Sequence, residues 1–346
     1  MNFSSENYDK THPRILKALL KSNNGFVPSY GKDEYTFKAI EKFKEVFGTK
    51  ELETFFCFNG TGANNFAIGS LTEKHNAVLC SDVSHLYTAE STAPETFTGC
   101  RLYPLKTRDG KILIEDLLLK IKTKNDVHLP PASVLTITQP TEYGTIYDRK
   151  ELKIIAKHCR QNNILLHVDG ARLFNALAAM NCSLADFVKI SGADALTLGG
   201  TKSGLLFGEA VVFFNSKRFK NLHYHHKRSM QLASKNRFIA VQFSELLKDG
   251  LWKKIATHTN NLASYFKQEL MKTGNAEIAY PVETNMVFMK MGQTQFDKLK
   301  SSAHFYRWDF QQEEVRFAFS FSNTKKEINS FFKEYRKAIK GNSLSN

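Results

Sequence analysis

Acidic residues are in short supply in this chain: 34 Asp and Glu stand against 48 Lys and Arg in 346 residues, a formal charge of +14. A surplus of that size favours anionic partners but does not choose among nucleic acid, phosphorylated cofactors and carboxylate substrates. Cysteine is sparse as well. The five present (Cys57, Cys80, Cys100, Cys159 and Cys182) are odd in number, widely spaced and without a Cys-x-x-Cys. That argues against a disulfide or zinc framework and for buried thiols in a reducing compartment. No run reaches the ~18 uncharged apolar residues of a spanning helix, so no membrane partner is expected. Met1-Asn2-Phe3-Ser4-Ser5-Glu6 is polar and acidic where a secretory leader needs a basic start and an apolar stretch, so a cytoplasmic protein is expected. Internal repeats and low-complexity tracts are missing too, and 42% apolar with 24% charged residues excludes a disordered tail or a collagen-like fibre.

What is present is an alternation. From about residue 50 to 215, short apolar runs (54–58, 77–80, 133–138, 164–168 and 210–214) read as buried strands separated by helical patterns. Asp148-Arg149-Lys150-Glu151 has capping-box spacing and opens a helix with Leu152, Ile155, Ala156 and Cys159 on one face. Such alternation predicts an α/β domain with a mainly parallel sheet flanked by helices. The last hundred residues differ. Val315, Phe317, Phe319 and Phe321 alternate with Arg316, Ala318 and Ser320, a half-buried strand that turns Arg316 away from the phenylalanines. Thr324-Lys325-Lys326-Glu327 then caps a helix carrying Ile328, Phe331, Phe332 and Tyr335. A large domain over 1–248, with an N-terminal arm, and a small α+β domain over 249–346 are expected, divided near Asp249-Gly250.

In an open α/β sheet, ligands bind at the carboxyl ends of strands, and several strands here end in unusual groups. The run ending at Phe58 leads into Asn59-Gly60-Thr61-Gly62-Ala63-Asn64-Asn65, a glycine-bearing turn before a helix that could cradle a phosphate. It is neither Gly-x-Gly-x-x-Gly nor a P-loop, which counts against dinucleotides and nucleoside triphosphates. The run ending at Val168 is followed by Asp169-Gly170-Ala171-Arg172. A carboxylate there needs a partner: either Arg172 in a structural pair, or a ligand cation, with Arg172 holding an anion nearby. Gly199-Gly200-Thr201-Lys202 puts a lysine in a glycine-rich turn, where desolvation can lower its pKa and free its amine as a nucleophile. A pyridinium partner, a Schiff-base lysine and a phosphate cradle are the three fixtures of a pyridoxal phosphate site.

These segments also carry a resemblance. His167-Val168-Asp169-Gly170-Ala171-Arg172-Leu173-Phe174-Asn175-Ala176 and Gly199-Gly200-Thr201-Lys202 resemble the low-specificity threonine aldolases, fold-type I pyridoxal enzymes. So do Asn59–Asn64, Ser81-Asp82-Val83-Ser84-His85, Gln231–Phe238 and Glu314–Phe317, over nearly the whole chain. The resemblance implies an aldehyde-lyase that cleaves a threonine-type β-hydroxy-α-amino acid to glycine and an aldehyde. It implies Lys202 as the cofactor lysine, Asp169 as the pyridinium partner and His85 stacked on the ring, with Gly60, Thr61 and Arg237 at the phosphate. Arg172, with Ser5 and Arg316, would hold the substrate carboxylate; Arg172 also counts among the cofactor contacts. A homodimer or homotetramer is implied as well. One departure stands out: Thr138-Gln139-Pro140-Thr141-Glu142-Tyr143-Gly144 has no histidine where many members carry a second one, leaving His85, Glu142 or a water as the base.

Other readings compete. The same lysine and aspartate would serve a β-eliminating lyase or an aminotransferase. Lys217–Arg237 holds seven Lys or Arg, His223, His225 and His226, and no acid, and the helix from Lys325 adds more positive charge. No nucleic-acid recognition motif accompanies it, so a solvated face is favoured. The histidines lack a neighbouring Cys, Asp or Glu, so no metal centre is expected.

Overall fold

The computed structural model describes residues 1–122, 126–274 and 276–340; positions 341–346 of the expected small domain lie outside the described residues. The apolar runs become β1 (Leu52–Cys57), β2 (Ala77–Ser81), β3 (Arg101–Leu105), β6 (Ala132–Thr138), β7 (Leu165–Gly170), β8 (Ala195–Gly199) and β9 (Glu209–Phe214). A two-stranded ribbon, β4 (Thr107–Arg108) with β5 (Lys111–Ile112), follows β3. The seven longer strands form one sheet in the order β1-β9-β8-β7-β6-β2-β3. Residues of β2, β8 and β9 are buried throughout, as expected of strands with both faces covered.

Strand direction decides where a ligand can sit. Pairs from β3 through β8 are parallel, whereas β9 is antiparallel to both β8 and β1. The link from β8 to β9 is too short for a parallel crossover, so β9 must return antiparallel. The carboxyl ends of β1, β2, β6, β7 and β8 therefore share one edge with the amino end of β9. The mainly parallel α/β sheet expected from sequence is the one found.

The helix Arg149–Gln161 has its capping box formed in both directions, with Leu152, Ile155, Ala156 and Cys159 buried. Thr324 and Glu327 exchange the same reciprocal bonds ahead of the helix Lys325–Lys340. All five cysteines are free and buried. Among the described residues no single helix is long and apolar enough to cross a membrane.

A second core lies beyond a break in the chain. The helix Arg237–Leu247 ends at Lys248–Gly250, where Asp249 and Gly250 take φ of 53° and 66°, and the helix Leu251–Met271 begins. Ile255 and Ala256 of that helix pack into the large core, Leu262, Phe266 and Leu270 into the second. There β10 (Met286–Lys290), β12 (Glu314–Ala318) and β11 (Tyr306–Asp309) form an antiparallel sheet in that order. Phe266, Phe317, Phe319, Phe331 and Phe332 cluster behind it.

Two details depart from the sequence reading. Phe3 is fully buried in this C-terminal cluster and joins its sheet through Phe3 N–H to His304 O (2.8 Å) and Ala318 N–H to Phe3 O (2.8 Å). And β12 is covered on both sides rather than half-buried: Ala318 is 1% exposed, and Phe321, past the strand, packs on the other core. The side of β12 that carries Arg316 faces the large-domain cavity, the direction that the alternation predicts.

Candidate active site

A cavity of about 510 Å³ opens at the carboxyl edge of the large sheet, within the size range of small-molecule sites. Each strand end contributes one fixture. After β1, Asn59 caps the helix Gly60–Leu71, its Oδ1 accepting from Gly62 N–H at 2.8 Å. First-turn amides have no intrahelical acceptor, and together with the positive dipole end they favour an anion. Gly60 and Thr61 line the cavity, and the space beside Gly60 is open.

Asp169, the penultimate residue of β7, has its side chain in the cavity wall and only 4% of the residue exposed. Its Oδ1 accepts from Ala171 N–H and its Oδ2 from Asn64 Nδ2, both at 3.0 Å. These donors are neutral, and the Asp169–Arg172 structural pair that the sequence also allowed does not form.

Lys202 lies in the single turn Thr201–Ser203 after β8. A Cβ at Gly199 would collide with the Ala171 carbonyl, so the β8 end lies directly against the segment after Asp169. Burial, then the charge of Arg172, lowers the Lys202 pKa, against the opposing pull of Glu6, Asp169 and Glu209. Among the described residues no hydrogen bond holds its Nζ. Glu209, at the amino end of β9, accepts from Gly200 N–H at 2.9 Å, and burial pushes its carboxyl up to about 7.

After β2, the half-exposed ring of His85 faces the cavity, with Nδ1 held 2.9 Å from Glu90 Oε1. That hydrogen bond raises the imidazole pKa against the effect of burial. The His85 N–H donates to Glu142 Oε1 (2.8 Å), which also accepts from Thr138 Oγ1 (2.8 Å). Burial pushes Glu142 up to about 7, and its Oε2 is buried with no partner among the described residues. Glu142 therefore lines the cavity as a buried carboxyl with a raised pKa.

The opposite end of the cavity is assembled from distant parts. Arg172 donates from Nε and Nη2 to Glu6 Oε1 and Oε2 at 2.6 and 2.8 Å, and Asn285 Nδ2 donates to Glu6 Oε1 at 2.6 Å. Burial acts to raise the Glu6 pKa, but the charge and hydrogen bonds of Arg172 outweigh it and hold the carboxyl at about 2. Arg316 reaches the cavity from β12, as its alternation predicted. Its Nη2 donates to Ser4 O (2.9 Å), and its guanidinium lies 4.9 Å from the ring of Tyr306 and 5.0 Å from that of Trp308. Burial, then the charge of Arg172, brings its pKa down to about 10. Ser5 lines the same wall, its Oγ accepting from Asn7 N–H at 3.2 Å.

The structure therefore brings Lys202, Asp169, His85, Gly60, Thr61, Arg172, Arg316 and Ser5 to one cavity. Arg237 is not in that lining: it starts the helix Arg237–Leu247 with its guanidinium over Phe238 (4.8 Å), while Gln231 covers Gly62 and accepts from Phe58 N–H. The basic histidine segment splits: His226 is buried against the Phe56 carbonyl, while exposed His223 lies near Glu53. Glu6, Glu90, Glu209, Tyr306 and Trp308 escaped the sequence reading. Glu6 and Glu209 each neighbour a group that was noticed, Ser5 and the β9 run, whereas Glu90 and the two aromatics carry no local signal.

These residues fit pyridoxal phosphate. A buried carboxylate with only neutral donors suits a protonated ring nitrogen, a helix amino end beside open space suits a phosphate, and a lysine with lowered pKa suits a carbonyl carbon.

The comparisons with known proteins agree with that chemistry. The family model for beta-eliminating lyases matches residues 2–294. A low specificity L-threonine aldolase from a Pseudomonas species is 37% identical over 331 residues, covering 91% of this chain and 94% of that protein. Its counterpart from Pseudomonas aeruginosa is 36% identical with the same coverage. The solved structure of a threonine aldolase from Leishmania major superposes with a TM-score of 0.92 at 26% identity, covering 97% of this chain and 98% of that one. With the family model matched over most of its length and these relatives aligned nearly end to end, this chain belongs to the beta-eliminating lyase family, alongside the low specificity L-threonine aldolases.

Proposed function

We propose that this protein is a pyridoxal phosphate-dependent lyase that cleaves a β-hydroxy-α-amino acid of the threonine or allo-threonine type to glycine and an aldehyde. The observation that carries this reading is the convergence of Lys202, Asp169, His85 and the Gly60–Thr61 helix start on one cavity whose far wall holds Arg172 and Arg316. When bound, the cofactor supplies a cationic conjugated ring that accepts the electron pair of the breaking Cα–Cβ bond.

The chain's own groups do the rest. Lys202 Nζ is the amine that would carry the cofactor, and the lowering of its pKa by burial favours its neutral, nucleophilic form. The Asp169 carboxylate, which meets only the neutral donors Ala171 N–H and Asn64 Nδ2, would pair with the ring nitrogen and favour its protonated form. His85 would stack against the ring, and the amides and hydroxyl at Gly60 and Thr61 would hold the phosphate. Arg172, Arg316 and Ser5 fix the substrate carboxylate, and fixing it orients the scissile bond. Glu142 takes the β-hydroxyl proton as the aldehyde forms. With a pKa of about 7 it is partly ionised at neutral pH, whereas Glu90 favours the protonated form of His85.

In this reading residues 1–248 form the cofactor domain, and 249–346 close its carboxylate end through Arg316. We take the enzyme to be cytoplasmic and a homodimer or homotetramer, the latter read out by light scattering. Product analysis tests the reaction: L-threonine or L-allo-threonine should give glycine and acetaldehyde in equal amounts. Ammonia with an oxo acid would instead identify a β-eliminating activity, and an oxo acid with the aminated cofactor a transaminase.

A further inference from the structure

The N-terminal arm carries a charge that neither the sequence reading nor the proposed chemistry uses. Glu6 is 6% exposed and does not line the cavity; it stands behind Arg172, whose side chain is 13% exposed. It is fixed from several sides. Arg172 donates to both its oxygens and Asn285, just before β10, to one of them. Upstream, Phe3 is locked into the second core; downstream, His12 N–H donates to Gly204 O (2.8 Å), at the end of the Lys202 turn. Two residues before Glu6, the Ser4 carbonyl accepts from Arg316. One short segment therefore restrains both guanidinium groups of the cavity.

We infer that Glu6 is a positioning residue for the substrate-carboxylate end of this site: it occupies Nε and Nη2 of Arg172 and leaves Nη1 to meet the substrate. This inference rests on the proposed role of Arg172. The guanidinium has a fixed planar fork, so engaging the Nε–Nη2 edge sets the plane and direction of what remains. Among the described residues Nη1 has no partner. The Nε–Nη2 edge of Arg172 is therefore not available to the substrate: it belongs to Glu6. The charges agree. Arg172 and Arg316 are close enough that one depresses the pKa of the other. With Glu6 the trio carries net +1, which matches one carboxylate; without it, two buried guanidinium groups would face each other uncompensated.

The test compares ligands with and without a carboxylate. Glycine and methylamine are titrated against cofactor-loaded enzyme and followed by the cofactor's absorbance. Glu6→Gln, similar in size but uncharged and placing a donor against Arg172, should weaken glycine by roughly tenfold or more and shift methylamine by less than about twofold. Unchanged glycine affinity, or equal weakening of both ligands, overturns the inference. Arg172→Gln separates it from the reading beneath it. If that variant leaves glycine binding unchanged, the carboxylate role of Arg172 fails and Glu6 with it. If Arg172→Gln weakens glycine but Glu6→Gln does not, Glu6 alone is wrong. Should Glu6→Gln not fold, a crystal structure of the wild-type holoenzyme with glycine decides. Glu6 still on Nε and Nη2 with the glycine carboxylate at Nη1 supports the inference; glycine in place of Glu6 on Arg172 overturns it.

Discussion

The two ends of the cavity are built by different means. The end with Asp169 and Lys202 is local: adjacent parallel strands β7 and β8 stop at the same height, and each presents one chemical group within a few residues of its last strand position. The backbone ladder of these neighbouring strands sets the spacing of the pair. The end with Arg172 and Arg316 is assembled from the N-terminal arm, the loop after β7 and a strand of the second core. Its groups are long, cationic and mutually repelling, and they hold position through a buried ion pair, a backbone carbonyl and two aromatic faces. An end made by a sheet tolerates change in its surroundings; one made by compensating charges across two cores does not.

Substitutions can break that contrast or sharpen it. The largest effect belongs to Lys202→Ala, which should lower kcat by roughly 10³-fold or more and abolish borohydride-fixed cofactor on the Lys202 peptide. Label found on Lys227 or Lys235 of the wild type would remove the local end from the argument altogether.

Asp169→Asn keeps the shape and loses the charge. Turnover should fall roughly 10²- to 10³-fold, while the cofactor, still held at its phosphate, should weaken by less than about tenfold, as read by fluorescence titration. Equal loss of both would mean that Asp169 only binds.

Glu142→Gln should cost roughly 10²-fold in kcat and alter the pH profile. The carboxyl, at about 7, accepts a proton only when ionised, so wild-type kcat/KM should rise as pH climbs through about 7. The variant should lack that limb; a retained limb would pass the role of base to another group.

Arg316→Lys addresses the assembled end. An ammonium keeps the charge but neither the fork nor the stacking between Tyr306 and Trp308. A loss of about 1.5–3 kcal/mol, roughly 10- to 150-fold in kcat/KM, is expected with folded, loaded protein. A rim contact would cost only about 0–1 kcal/mol, and near-normal kinetics would reduce Arg316 to that.

The smallest effect is that of Glu90→Gln. Its hydrogen bond is what raises His85, so without it the imidazole pKa should drop toward its ordinary ~6.5, with turnover changed by less than about tenfold. Ring-proton NMR of the two proteins reads the shift, and an unmoved titration would show that Glu90 does not tune His85.

Much of this protein could be read along the chain. The strand runs, the capping box at Asp148, and the strand ends at Asn59, Asp169 and Lys202 are local, because alternation, capping and glycine turns depend on residues within a few positions of each other. Arg316 was legible for the same reason: in a strand, a period of two fixes which way a side chain points. What sequence by itself could not supply was the company those groups keep. It allowed Arg172 to pair with Asp169, but tertiary structure gave Arg172 to Glu6, more than 160 residues away. It put Arg237 near the phosphate turn, and within this chain the guanidinium lies over Phe238 rather than in the cavity lining. It grouped Phe321 with the phenylalanines of the small domain, but folding packs that ring on the large core. Phe3 belongs to a core made otherwise from the C-terminal third. Charge pairing and domain contact depend on distances between segments remote in sequence, and only the folded chain sets those.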